Sequence, residues 1–232
     1  MTKTTVPLFM MIGLAFMLAA PAWADFQAGL DAYERGDYHT AMKEWRPLAN
    51  QGDASAQYHL GVLYERAQGI PRDYQEALRL HRLAAEQGHA QAQFDLGRMY
   101  SDSPRVSRDD QEALRWWRLA AAQGNADAQF SLGSWTLFGH GLPQNVQKAG
   151  YWFRLAANQG HADAQFQLGA LYSTGQGVPK DYVLAYMWVN LGAANGALGL
   201  AAMTRDFLEK ELTPAQLAEA QRLAREWKPK GE

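Results

Sequence analysis

Gly52, Gly88, Gly124, Gly160 and Gly196 stand 36 residues apart, and a constant period of that length leaves few folds open to the chain. The first four follow Gln51, Gln87, Gln123 and Gln159, and the last follows Asn195. Other landmarks keep the same spacing: Leu60-Gly61, Leu96-Gly97, Leu132-Gly133 and Leu168-Gly169; Gln57, Gln93, Gln129 and Gln165; Tyr58, Phe94, Phe130 and Phe166; and Ala77, Ala113, Ala149 and Ala185. Self-similarity at a period of about 20–50 residues is the mark of an array of small units that bury their apolar faces on one another.

Each unit reads as two helices. In helix A, exemplified by 53–66, Ala56, Leu60, Leu63 and Tyr64 recur at steps of three and four, which makes one apolar stripe. Asp53, His89, Asn125 and His161 follow the glycine and stand where a side chain accepts from the unpaired amides of a first turn. The glycine itself ends the preceding helix, because it adopts a left-handed backbone without the strain a Cβ brings. Helix B follows Gly69-Ile70-Pro71, Gly141-Leu142-Pro143 or Gly177-Val178-Pro179 and opens at Asp73, Asp109, Asn145 and Asp181. Asp73 with Glu76, and Asp109 with Glu112, fit a capping box. Its inward face carries Ala77, Leu80, His81 and Ala84 and their equivalents, among them Trp116, Trp117, Trp152, Phe153 and Trp188.

The ends of the chain differ from the units between them. Ala41, Trp45 and Ala49 stand one period before Ala77, His81 and Ala85, so 25–52 is a divergent first pair. Thr204-Arg205 replaces the expected Leu-Gly, and Thr213-Pro214-Ala215-Gln216 opens a last helix with a capping box, its inward face carrying Leu217, Ala220, Ala224 and Trp227. Residues 1–24 have one cation at Lys3, an apolar run from Val6 to Ala20 and the pattern Ala22-Trp23-Ala24. This reads as a secretory leader cleaved after Ala24, the run being shorter than the about 20 residues of a membrane helix, with no stable membrane insertion thereafter. The organisation expected is therefore a leader over 1–24 and one repeat domain over 25–232. That domain comprises a first pair at 25–52, repeats at about 53–88, 89–124, 125–160 and 161–196, and capping helices at 197–229.

Several function classes are set aside by composition. Lys plus Arg number 22 against 24 Asp plus Glu, with no basic run of the kind that neutralises a phosphate backbone, so nucleic acid is not an expected partner. With no cysteine there is no disulfide framework, thiolate nucleophile or cysteine metal site. The six histidines contain no H-E-x-x-H pair; His89 and His161 share one repeat position and read as caps, and His81 reads as a packing residue. The glycine turns join helix to helix and lack the Gly-Lys-Ser/Thr of a phosphate loop. No catalytic, metal or cofactor residue is therefore assigned, and the chain is not expected to be an enzyme.

The order A-x-x-x-L-G, tyrosine, G-x-G-V-P, D-x-x-x-A, aromatic pair and A-A-x-Q-G, seen from Ala164 through Gly175-Gln176-Gly177-Val178-Pro179 to Ala185, resembles the Sel-one-like repeat family of tetratricopeptide-like units. The resemblance is clear over 53–196. It implies an all-α, right-handed α-α superhelical solenoid of 36-residue helix-turn-helix repeats, used by exported proteins as an adaptor for protein partners. Two departures stand out: Ser101 to Ser107 lacks the Gly-x-Gly-Val-Pro turn, and Thr136 replaces the tyrosine of Tyr64, Tyr100 and Tyr172.

A binding surface belongs at positions that vary between units, since shared packing does not fix them. On helix A these are Ser55, His59, Val62 and Arg66; Gln91, Asp95, Arg98 and Asp102; Asp127, Ser131, Ser134 and Phe138; and Asp163, Gln167, Ala170 and Thr174. Steps of four, three and four place each set on one helix face. By analogy with related solenoids helix A lines the concave side. The candidate groove is thus His59, Arg66, Asp95, Arg98, Asp102, Ser131, Ser134, Phe138, Gln167 and Thr174. The expected role is a secreted or periplasmic scaffold that binds a protein or peptide there. An alternative is an envelope protein that binds cell-wall glycan or peptide through Trp135, Phe138 and the 101–107 loop; a hydrolase stands last. Joint replacement of Asp95, Arg98 and Phe138 is expected to weaken binding without unfolding the chain.

Overall fold

The computed structural model describes residues 25–102, 106–197 and 200–229; the leader expected over 1–24 lies outside them. Twelve helices occur among the described residues: α1 (Phe26–Glu34), α2 (Tyr38–Asn50), α3 (Ala54–Arg66), α4 (Tyr74–Glu86), α5 (Ala90–Asp102), α6 (Asp110–Ala122), α7 (Ala126–Phe138), α8 (Val146–Asn158), α9 (Ala162–Thr174), α10 (Tyr182–Ala194), α11 (Leu200–Glu211) and α12 (Pro214–Glu226). From α1 to α11 each helix packs mainly on its neighbours in sequence, which is the contact pattern of a solenoid, and α12 returns to pack on α10. None is long and apolar enough to cross a membrane.

One tight junction, repeated, sets the turn between units. Gly52 has φ +95°, and the Asp53 amide beyond it donates to the Leu48 carbonyl at 3.0 Å while the Gly52 amide donates to Ala49 at 3.1 Å. This Schellman closure recurs at Gly88, Gly124 and Gly160. The residue after the glycine then caps the next helix: Asp53 Oδ1 accepts from the Ala56 amide at 2.7 Å, Asn125 from Ala128 at 2.8 Å, and Nδ1 of His89 and His161 from Ala92 and Ala164 at 3.1 and 3.2 Å. Stop and start signals are thus fused, with no residue between them.

Within each unit a helix A glycine sets how closely helix B approaches. A Cβ on Gly97 would lie 2.5 Å from Trp117, on Gly133 2.7 Å from Phe153, and on Gly169 2.6 Å from Val189. In the first pair the same part is played by Gly29 against Trp45. Gly29 falls out of register with Gly61 because the α1–α2 link spans only 35–37, whereas the α3–α4 link spans 67–73.

Between units the tie is a buried glutamine. Gln57, Gln93, Gln129 and Gln165 are almost wholly buried on helix A. Each amide nitrogen donates back to a carbonyl in the last turn of the preceding helix B: Ala49 at 3.1 Å, Ala85 at 3.0 Å, Ala121 at 3.2 Å and Ala157 at 3.2 Å. Each amide oxygen accepts from the end of its own unit's helix B, from Gln87, Gln123 and Gln159 at 2.8 Å and from Asn195 at 2.9 Å. A backbone carbonyl can only accept, so the orientation of every amide in the series is fixed.

The expected capping boxes divide. Thr213 and Gln216 form the full reciprocal pair. Asp73 and Asp109 accept from the amides of Glu76 and Glu112, but those glutamates turn outward to Arg79 and Arg115. The reason lies in the preceding turn, where the Asp73 and Asp109 amides already donate to the carbonyls of Tyr64 and Tyr100. At the C-terminal end α12 packs on α10, with Ala220 and Ala224 buried and Trp227 edge-on to Trp188 at 6.0 Å.

Gly97→Ala gains helix propensity but drives a methyl into the Trp117 ring; a net loss of about 1–3 kcal/mol in unfolding free energy is expected by urea denaturation. Adding Trp117→Leu should make the double variant less destabilised than the sum of the singles.

Candidate functional site

The variable face runs along α3, α5, α7 and α9, and its members fall into different surroundings. His59 is enclosed by the rings of Phe26, Tyr33, Trp45 and Tyr58, stacked on Trp45 with centroids 4.8 Å apart. Burial, and then the charge of His89, push its pKa down to about 4. Arg66 reaches the Tyr33 hydroxyl at 3.4 Å and so ties α3 to α1, while Val62 is buried.

Asp95 and Arg98 stitch unit to unit. The Tyr58 hydroxyl donates to Asp95 Oδ2 at 3.1 Å, and Arg98 bridges Asp95 at 3.3 Å and Glu65 at 2.8 Å. His81 Nε2, fully buried on α4, lies 3.4 Å from the other Glu65 oxygen. Pairing first with His81 and then with Arg98 holds Glu65 down to about 2 against its own desolvation. Removing Glu65 or Arg98 from this cluster leaves the opposite charge without its counter-ion at a partly buried place. Asp95 and Arg98 therefore link α5 to α3 as well as facing outward, so their replacement removes contacts between units besides altering the face.

One concavity of about 420 Å³ opens between α5 and α7. Arg98, Asp102 and Ser131 of the expected groove line it, together with Phe94, Ser101, Arg108, Trp117, Trp135 and His140. The α5–α6 turn that departs from the repeat pattern supplies Arg108, whose guanidinium pairs with Asp110 at 2.7 Å and lies 6.0 Å from the Trp135 ring centre. Trp135 meets Trp117 edge-on at 4.9 Å and His140 at 5.8 Å. The wall is aromatic and the rim carries both signs of charge. Rings of this kind offer contact surface and the charged rim offers donors and acceptors for charge-assisted hydrogen bonds.

The remaining candidates lie elsewhere. Phe138, 64% exposed, lines a separate shallow hollow with Val146, Gln147 and Gln176. Ser134 and Gln167 are half-buried, and Thr174 is exposed with its hydroxyl donating to the Ala170 carbonyl of its own helix at 3.1 Å. Residues 103–105 of the loop lie outside the described residues. Phe94, Arg108, Trp117 and His140 were not among the candidates, because each is a packing or turn position whose role at the concavity comes from the neighbouring unit.

Four consecutive segments, residues 54–89, 90–125, 126–161 and 162–196, match the Sel1 repeat. The chain belongs to the Sel1 repeat family. Among solved structures this Sel1 repeat chain is similar to a protective antigen with an SLR fold present in uropathogenic Escherichia coli strains, at 36% identity and TM-score 0.78, covering 87% of this chain but 44% of that protein. A Sel1 repeat protein from Oxalobacter formigenes is 30% identical with TM-score 0.74, covering 85% of each chain. An immunity protein from Pseudomonas aeruginosa, at 18% identity and TM-score 0.52 over 87% of this chain and 84% of that one, shares the fold. No curated protein matches the chain.

In this Sel1 repeat protein the His59 nest makes stability acid-sensitive. A histidine whose folded pKa lies near 4 and whose unfolded pKa is about 6.5 contributes stability above pH 6.5 that is lost as pH falls toward 4. Thermal unfolding followed by circular dichroism should show the midpoint falling across that window, and His59→Phe should flatten the fall while leaving the further loss between pH 4.5 and 2 that Glu65 contributes.

Proposed function

We propose that this Sel1 repeat protein is an exported, non-catalytic scaffold that binds a protein or peptide in the concavity between α5 and α7. The observation that carries the reading is the meeting of Arg98, Asp102 and Ser131 with the Trp135 ring in one open hollow on the variable face. Aromatic walls with a rim of mixed charge are the chemistry of protein recognition, in which a few ring and arginine contacts hold most of the affinity. The units on either side of the hollow are joined through the buried Gln93 and Gln129 amides, which supports a surface that needs little ordering on binding. Export is supported by the leader pattern of residues 1–24.

A second reading, binding of cell-wall glycan or peptide, draws support from the same Trp135, since a sugar face stacks on an indole.

A photo-crosslinking residue at Ser131, compared with one at Glu219 on the exposed side of α12, tests both. The expected result is a discrete protein adduct at 131 that is absent at 219 and lost on Trp135→Ala, a change that leaves the Glu65–Arg98–Asp95 cluster intact. Co-sedimentation with purified cell wall that depends on Trp135, without a protein adduct, would replace the first reading by the second. Adducts equal at the two positions, or none, would remove the concavity from consideration.

A further inference from the structure

A second cavity follows from one substitution in the repeat. The backbone carbonyls of Tyr64, Tyr100 and Tyr172 each accept from the amide that opens helix B, and that of Thr136 likewise accepts from the Asn145 amide at 2.9 Å. The four residues therefore occupy one structural position. In three units the tyrosine hydroxyl is met by an arginine from the preceding helix B: Arg46 to Tyr64 at 3.4 Å, Arg82 to Tyr100, and Arg154 to Tyr172 at 3.0 Å. In the fourth the arginine is still present as Arg118, but threonine ends short of it.

The result is a cavity of about 450 Å³ with Thr136 at its floor, 2% exposed, and Arg118 at its mouth. Its walls match those around the tyrosines elsewhere. Leu132, Leu142 and Trp152 line it, where Leu168, Val178 and Trp188 gather with Tyr172 in the next unit. Lys148 adds a second cation, at the place held by Glu76 and Glu112 in other units. Neither Arg118 nor Lys148 has a hydrogen-bond or ion-pair partner among the described residues. A slot at the tyrosine position with Leu132, Leu142 and Trp152 in its walls, and two cationic donors beside them, is complementary to a flat ring bearing an acceptor oxygen.

We propose that this slot is a binding site for a phenol-bearing side chain, a tyrosine supplied from outside the chain, which docks its ring between Leu132, Leu142 and Trp152 and accepts hydrogen bonds from Arg118 and Lys148. The site shares no lining residue with the concavity between α5 and α7, and it stands independently of that reading. The unit thereby exchanges an internal packing group for a recognition pocket while keeping the tyrosine position's walls.

The test uses p-cresol, the tyrosine side chain as a free molecule, titrated into the isotope-labelled protein and followed by nuclear magnetic resonance at the Trp152 indole and Arg118 guanidinium signals. Saturable shifts at both are expected, with toluene, which lacks the oxygen, binding more weakly. Thr136→Tyr should fill the slot, abolish the shifts and raise the thermal midpoint. Arg118→Gln, on an exposed side chain, should weaken p-cresol about tenfold without altering stability, and it carries the test should the filled variant fail to fold. Absence of saturable shifts, equal affinity for toluene, or a titration unchanged by Thr136→Tyr or by Arg118→Gln would overturn the proposal.

Discussion

The buried glutamine of helix A is the interaction on which the rest of this solenoid depends. Apolar burial supplies the bulk of the driving force, but it is non-directional and tolerates sliding of one helix pair over the next. A buried amide does not, because its donor and acceptor must both be met in a fixed geometry or cost about 1–3 kcal/mol each. Here the donor gives a second hydrogen bond to a carbonyl at the end of the preceding helix B that already accepts from the junction glycine, and the acceptor is met by the end of the unit's own helix B. Every interior helix B is therefore used twice, by its own unit and by the next.

Much of this was legible in the sequence because a repeat displays its constraints several times over. The period, the glycine stops, the caps at 53, 89, 125 and 161 and the inward faces of both helices all emerge from register. The role of Gln57 and its equivalents did not. A recurrent glutamine on an apolar helix face looks like a family mark until the carbonyls eight residues earlier are seen to end the helix it packs on. The outward turn of Glu76 and Glu112 was likewise hidden, since the competing bond comes from Tyr64 and Tyr100 across the turn.

The binding face was legible only in part. Steps of four, three and four correctly place residues on one side of a helix, yet they say nothing of what the adjacent helix does with them. His59 is drawn into a nest of rings contributed by α1 and α2, and Asp95 and Arg98 are shared with Tyr58 and Glu65 of the unit before. The slot at Thr136 had a readable signal. Arg46, Arg82, Arg118 and Arg154 keep the same period as the glycines, and the loss of the tyrosine in one unit without loss of its arginine marks the place where packing was relinquished. Both surfaces lie beside a departure from a pattern the neighbours keep: Arg108 of the α5–α7 concavity follows the altered turn, and Thr136 stands at the α6–α8 slot where other units carry tyrosine.

The most direct test of the glutamine relay is amide hydrogen exchange in Gln129→Met, a change that keeps side-chain volume and apolar packing while deleting both hydrogen bonds. Faster exchange is expected at two separated places, the last turns of α6 and α8 around Ala121 and Gln159, with α2 and α3 unaffected. Exchange altered only within α7, or unchanged throughout, would contradict the relay, and would leave apolar packing alone as what sets the register of the stack.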